Sequence, residues 1–226
     1  MAVGSRRRAA LCLAALIIVL TICNIVFAYS NGWARVGCQL FGFGGLLFVY
    51  KAAGLALSDI GLDKKRLTAG LKYGLTAILL IAVVLTLVFF VDQNIFKDSR
   101  YHHTVRTALA AGLLIVPVKV VIFEELAFRG LIPALLKGLG SKPWHIAVIS
   151  SFLFGLWHIA TAPKADNLTA GSFSNLLIIG AVVLATFGGG LILYLLRRRS
   201  DSLLASILVH WFINGSTTVL AALSWL

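Results

Sequence analysis

Both glutamates of this chain stand side by side, Glu124 and Glu125, at the end of an apolar run in "VKVVIFEELAFRG" (Val118–Gly130). The other six acids are aspartates, and all lie in short polar breaks. A charge at the centre of a membrane-spanning helix costs about 2.5–3.5 kcal/mol on insertion scales, so such side chains face a bundle interior or a wet cavity. Two more apolar stretches carry polar groups: Phe154 and His158 frame "FGLWH", and His210 and Asn214 frame "HWFIN". The set supplies carboxylates, two imidazoles, a carboxamide and the guanidinium of Arg129. Hydrolysis of a peptide bond inside a membrane needs an activated water and a donor for the developing oxyanion. A carboxylate helped by an imidazole can take the proton of water, and a second imidazole with an amide N–H can stabilise the oxyanion. No serine or cysteine accompanies these residues, which argues against a covalent nucleophile. The alternative is a zinc ion held by Glu124, His158 and His210, with its bound water attacking. The H-E-x-x-H helix of the usual zinc peptidases is absent, so no metal is favoured.

Helical spacing sorts these groups. Residues four apart share a face, so Glu125 can pair with Arg129, and His210 points the same way as Asn214. Glu124 is turned by about 100° from Glu125, because 3.6 residues complete a turn. Pairing Glu125 with Arg129 leaves Glu124 the freer carboxylate, a working base beside a structural pair. Each group also has a plainer reading. A buried histidine commonly bridges two helices, an asparagine such as Asn214 serves as interhelical glue, and Phe154 and the tryptophans pack or sit at interfaces. The coincidence of all of them in three spans of one small chain favours chemistry. A proton relay in a small transporter, or a non-catalytic immunity or partner-binding protein, is the competing reading. Membrane-embedded Glu and His serve relays equally well, and Lys119, five residues before Glu124, has no role in hydrolysis.

The elements that must position these residues follow from composition. The chain has 226 residues, 60% of them hydrophobic and 12% charged, with a mean hydropathy of +0.97. A soluble domain carries about 25% charged residues. Apolar blocks of roughly 20 residues, parted by short charged breaks, predict an all-α polytopic transmembrane helical bundle. Seven spans are expected, over Leu11–Tyr29, Val36–Leu57, Leu71–Val91, Thr107–Leu136, His145–Ala162, Asn175–Leu196 and Leu203–Leu226. The fourth, at about 45 Å of helix, exceeds a hydrocarbon core of about 30 Å. Pro117, Gly130 and Pro133 offer places to break it, giving an eighth helical piece after Arg129. Gly188–Gly190 would permit close helix approach.

The net charge of +12 does not signal nucleic acid, because the cations gather at the ends of apolar segments rather than in a patch interleaved with aromatics. With the N-terminus cytoplasmic, the inner side collects Arg6–Arg8, Lys51, Lys64–Arg66, Lys72, Lys137, Lys142 and Arg197–Arg199. The outer side holds Arg35, Lys97, Arg100, Arg106 and Lys164, so this orientation satisfies the positive-inside rule. The basic start followed by Ala9–Tyr29 resembles a signal peptide, but the apolar stretch is longer than a usual h-region and no A-x-A site follows, so it is read as an uncleaved span. Cys12, Cys23 and Cys38 show neither metal spacing nor a disulfide framework and are expected to pack as small apolar groups.

The order E-E-x-x-x-R, F-x-x-x-H, H-x-x-x-N over successive apolar helices resembles the CPBP family of intramembrane endopeptidases, the CAAX-protease and bacteriocin-processing (Abi) family. The motifs read "EELAFRG", "FGLWH" and "HWFIN" here, and the likeness covers about half of the chain, from Leu113 to its end. It implies residues 107–226 as the catalytic helical core, after a three-span region, 1–106, without a diagnostic motif. It further implies Glu124 as catalytic base with His158 assisting, His210 and Asn214 as the oxyanion site, and Glu125, Arg129 and Phe154 as support. The family was long labelled metalloprotease, while its members resemble glutamate-dependent proteases. The expected partners are the lipid bilayer and a membrane-associated peptide or protein cut near the cytoplasmic face, with the plasma membrane as the expected location.

Overall fold

The computed structural model describes residues 3–98, 104–161 and 173–226, so Arg100 and Lys164 of the charge count lie outside the described residues. Among the described residues there are helices and turns and no strand. Seven helices are long and apolar enough to cross a membrane. They are α1 (Val3–Tyr29), α2 (Gly32–Ala53), α3 (Leu67–Val91), α4 (Val105–Gly138), α5 (Pro143–Trp157), α6 (Phe173–Ser200) and α7 (Leu203–Leu223). Much of their apolar surface is exposed, with Phe90 and Val91 more than 80% open, as side chains facing hydrocarbon must be.

The described residues cluster into two compact units, Met1–Ile60 with Leu126–Leu195, and Gly61–Glu125 with Leu196–Leu226. In the first, α1 and α2 form a hairpin. Gly54 closes α2 with φ +67°, its N–H turned onto the carbonyls of Lys51 and Tyr50, a left-handed stop that suits a residue without Cβ. Leu16, Cys23, Val49, Phe128, Ile132 and Leu135 are buried in this unit. Cys12, Cys23 and Cys38 are buried free thiols. Within Gly188–Gly190 on α6, only Gly190 is pressed: a Cβ there would lie 3.0 Å from that of Ser151, while Gly188 and Gly189 face open space.

In the second unit, α3 packs on α7, and the first part of α4 packs on α7 as well. The turn from α6 to α7 is made by Asp201, the one non-glycine with positive φ among the described residues. Its carboxylate lies 3.3 Å from Arg197 and 3.6 Å from Arg66. The contact of α4 with α7 is made backbone to backbone. A Cβ on Gly112 would lie 2.9 Å from the carbonyl oxygen of Gly215, and one on Gly215 would lie 3.0 Å from that of Gly112.

The expected interruption of the fourth span at Gly130 does not occur: α4 runs unbroken to Gly138. The span instead carries wide π-helical turns over Ala111–Ile115, Pro117–Val121 and Leu126–Leu131. The N–H of Val116 bonds the carbonyl of Ala111, five residues back. In that register Pro117 would owe a bond to Gly112 and has no N–H to give. The indole Nε1–H of Trp211 donates to the Gly112 carbonyl at 2.9 Å instead, so the proline is accommodated by a neighbouring helix rather than by a break.

Candidate active site

Within the second unit, α4 and α7 bring four of the sequence-selected residues together. Glu124, Glu125 and His210 are almost fully buried and Asn214 is half-buried. The Nδ1 of His210 lies 2.8 Å from Oε1 of Glu125. Its Nε2 lies 3.7 Å from Oε2 of Glu124 and 3.2 Å from Nδ2 of Asn214. A carboxylate accepts and does not donate, so the Glu125 contact puts a proton on Nδ1. In the neutral ring Nε2 then carries the lone pair and accepts from the Asn214 amide. The four-residue spacing of His210 and Asn214 makes this contact possible, since both project from one face of α7. The backbone around Asn214 is tied down too, because Thr218 Oγ1 donates to the Asn214 carbonyl at 2.8 Å.

The remaining three lie in the first unit. Arg129, buried to 2% exposure, sets its guanidinium carbon 3.8 Å over the ring centre of Phe154, within cation–π range. Phe154 is also edge-on to Phe128 at 5.3 Å and to the ring of His158 at 4.5 Å. The residue in the F-x-x-x-H pattern is therefore an aromatic platform with the guanidinium and the imidazole both on it. His158 stands where α5 ends in a tighter turn: its backbone N–H bonds Gly155, which frees the Phe154 carbonyl, and Nδ1–H of the ring donates to that carbonyl at 2.8 Å. In the neutral ring this assigns the lone pair to Nε2.

Three contributors escaped the sequence. Asn24 of α1 donates its amide to the carbonyl of Trp157 at 2.7 Å, one residue before His158. The only signal was a lone carboxamide inside an otherwise apolar first span. Trp211, adjacent to His210, and the Gly112–Gly215 pair hold α4 against α7. Their signal, small residues on facing helices, is legible only once the helices are known to face.

Among the described residues no group of three His, Cys, Asp or Glu side chains is set to hold an ion. A family model described as Type II CAAX prenyl endopeptidase Rce1-like matches residues 106–216, about half of the chain, an interval that contains all three motifs. No curated protein and no solved structure matches the chain.

Proposed function

The chain belongs to the CPBP, or CAAX protease, family of integral membrane endopeptidases, and on that premise we propose that Glu124 is the general base that activates water for peptide-bond hydrolysis. The observation that carries this reading is the burial of Glu124 beside a histidine that a second glutamate holds by Nδ1. Glu124 takes a proton from water as the water oxygen bonds to the scissile carbonyl carbon, with His158 assisting. The oxyanion is met by the Nδ2–H of Asn214 and by Nε2–H of His210 in its protonated state. Glu125 steadies that ring through Nδ1, as a carboxylate does for a catalytic histidine elsewhere. The C–N bond then breaks, and the proton held by Glu124 passes to the leaving amine. Arg129 and Phe154 support the turn that follows the glutamates.

The substrate is a membrane-associated peptide or protein, cut near the cytoplasmic face of the plasma membrane by an enzyme whose N-terminus is cytoplasmic. The cation distribution supports that orientation. No metal enters the proposed reaction. The test is cleavage of a lipidated C-terminal peptide by purified protein, with Glu124→Gln and with a zinc chelator as separate arms. Glu124→Gln preserves size and removes the base, so turnover should fall about 100-fold or more, and the chelator should leave the wild type unchanged. Undiminished turnover in Glu124→Gln, or loss under chelation restored by zinc, overturns the mechanism.

A further inference from the structure

In the first unit, an open groove of about 490 Å³ lies between α1 and α2 at the arginine-bearing end of α1. That size falls within the roughly 300–1,000 Å³ of small-ligand sites. Its α1 wall is a single helical stripe, Arg7 and Arg8 followed a turn later by Leu11 and another turn later by Ala15. Its α2 wall is Phe48 and Ala52, again one turn apart. The charged end and the greasy end are thus in line along the helix axes. Leu11 and Phe48 are both more than 60% exposed, so the apolar part opens toward the hydrocarbon around a membrane helix rather than into a protein core.

Neither arginine has an ion pair among the described residues, and no acidic side chain lines the groove. Both guanidiniums are exposed and so open to an anion from outside the chain. Arginine forks match phosphate oxygens in pairs, and two consecutive forks at a membrane boundary match a phosphodiester whose tails continue into the bilayer. A soluble anion would make no use of Leu11, Ala15 and Phe48.

We propose that this groove is a binding site for one anionic phospholipid. Its phosphate lies between Arg7 and Arg8, and one acyl chain lies along Leu11, Ala15 and Phe48. The site is separate from the proteolytic machinery and stands whether or not Glu124 is the base.

Native mass spectrometry of the full-length protein, titrated with phosphatidylglycerol or phosphatidylcholine of identical chains, tests it. Phosphatidylglycerol should be retained preferentially, and about five-fold of that preference should be lost per arginine, so that Arg7→Gln with Arg8→Gln brings the two lipids near parity. Arg198→Gln with Arg199→Gln, an exposed basic pair elsewhere, should retain the preference. Ala15→Phe fills the apolar floor with both arginines intact, and it should weaken retention of the whole lipid. Glycerol phosphate should not compete. Equal retention of the two lipids by wild type overturns the proposal, as does equal loss in the two arginine pairs. Unaltered retention in Ala15→Phe, or displacement by glycerol phosphate, leaves a plain anion contact and overturns the lipid assignment.

Discussion

The Nδ1 of His210 lies 2.8 Å from Oε1 of Glu125, joining residues 85 positions apart on α7 and α4. The same ring presents its other nitrogen to Glu124 at a longer range, 3.7 Å. The adjacent glutamates are thus distinguished by which nitrogen they face: Glu125 meets Nδ1 and Glu124 faces Nε2.

Glu125 substitutions should rank by what they leave at Nδ1. Glu125→Gln keeps an acceptor and loses the charge, whereas Glu125→Leu loses both and leaves a buried N–H unmet at a cost of about 1–3 kcal/mol. Turnover should fall in both, further in the leucine variant, and thermal stability should drop clearly only in the latter. Steady-state kinetics and melting in detergent check the ranking, and equal behaviour of the two variants would count against an orienting role.

Asn214→Ala removes the amide that reaches Nε2 of His210 at 3.2 Å. If that amide meets the oxyanion, kcat should fall about 100–1,000-fold while KM changes little. A loss expressed in KM alone would place Asn214 in substrate binding.

The α4–α7 contact should be sensitive to a single methyl. Gly112→Ala or Gly215→Ala drives a Cβ to about the 2.9–3.0 Å position against backbone, and overpacking of that kind costs about 1–3 kcal/mol. Trp211→Phe removes the bond to the Gly112 carbonyl, about 0.6 kcal/mol for an interhelical bond in a membrane, together with the packing of the second indole ring. Melting temperatures should fall in all three variants, and turnover should follow because the glutamates and His210 ride on these two helices.

Arg129→Lys should behave as a disruptive change. The planar group over Phe154 would be replaced by an ammonium without the stacking face. A double-mutant cycle of Arg129→Lys with Phe154→Leu should return a coupling of about 0.5–2 kcal/mol in stability. Additive effects would mean that the ring and the guanidinium are neighbours without being partners.

The seven spans were legible because a bilayer imposes length: apolar blocks near 20 residues, parted by polar breaks, leave little else to be. The polar motifs were legible for the converse reason, since ionisable groups inside such blocks stand out against their surroundings. The Glu125–His210 contact was not, because spacing within one helix carries no information about the ring that α7 presents to that carboxylate. Pro117 and Pro133 suggest breaks because a proline lacks its donor, and Gly130 because it has no Cβ to favour a helix. The indole that covers the Gly112 carbonyl lies 99 residues further along the chain, and the span carries widened turns in place of a break. Asn24 stayed hidden for a similar reason: one carboxamide in an apolar span has no motif until the carbonyl it meets is known.

Gly112 and Gly215 touch through main-chain atoms, and main chain has no rotamers with which to yield. At that height α4 and α7 are barred from coming nearer, so the two glycines set the spacing of the helices that carry Glu124, Glu125 and His210.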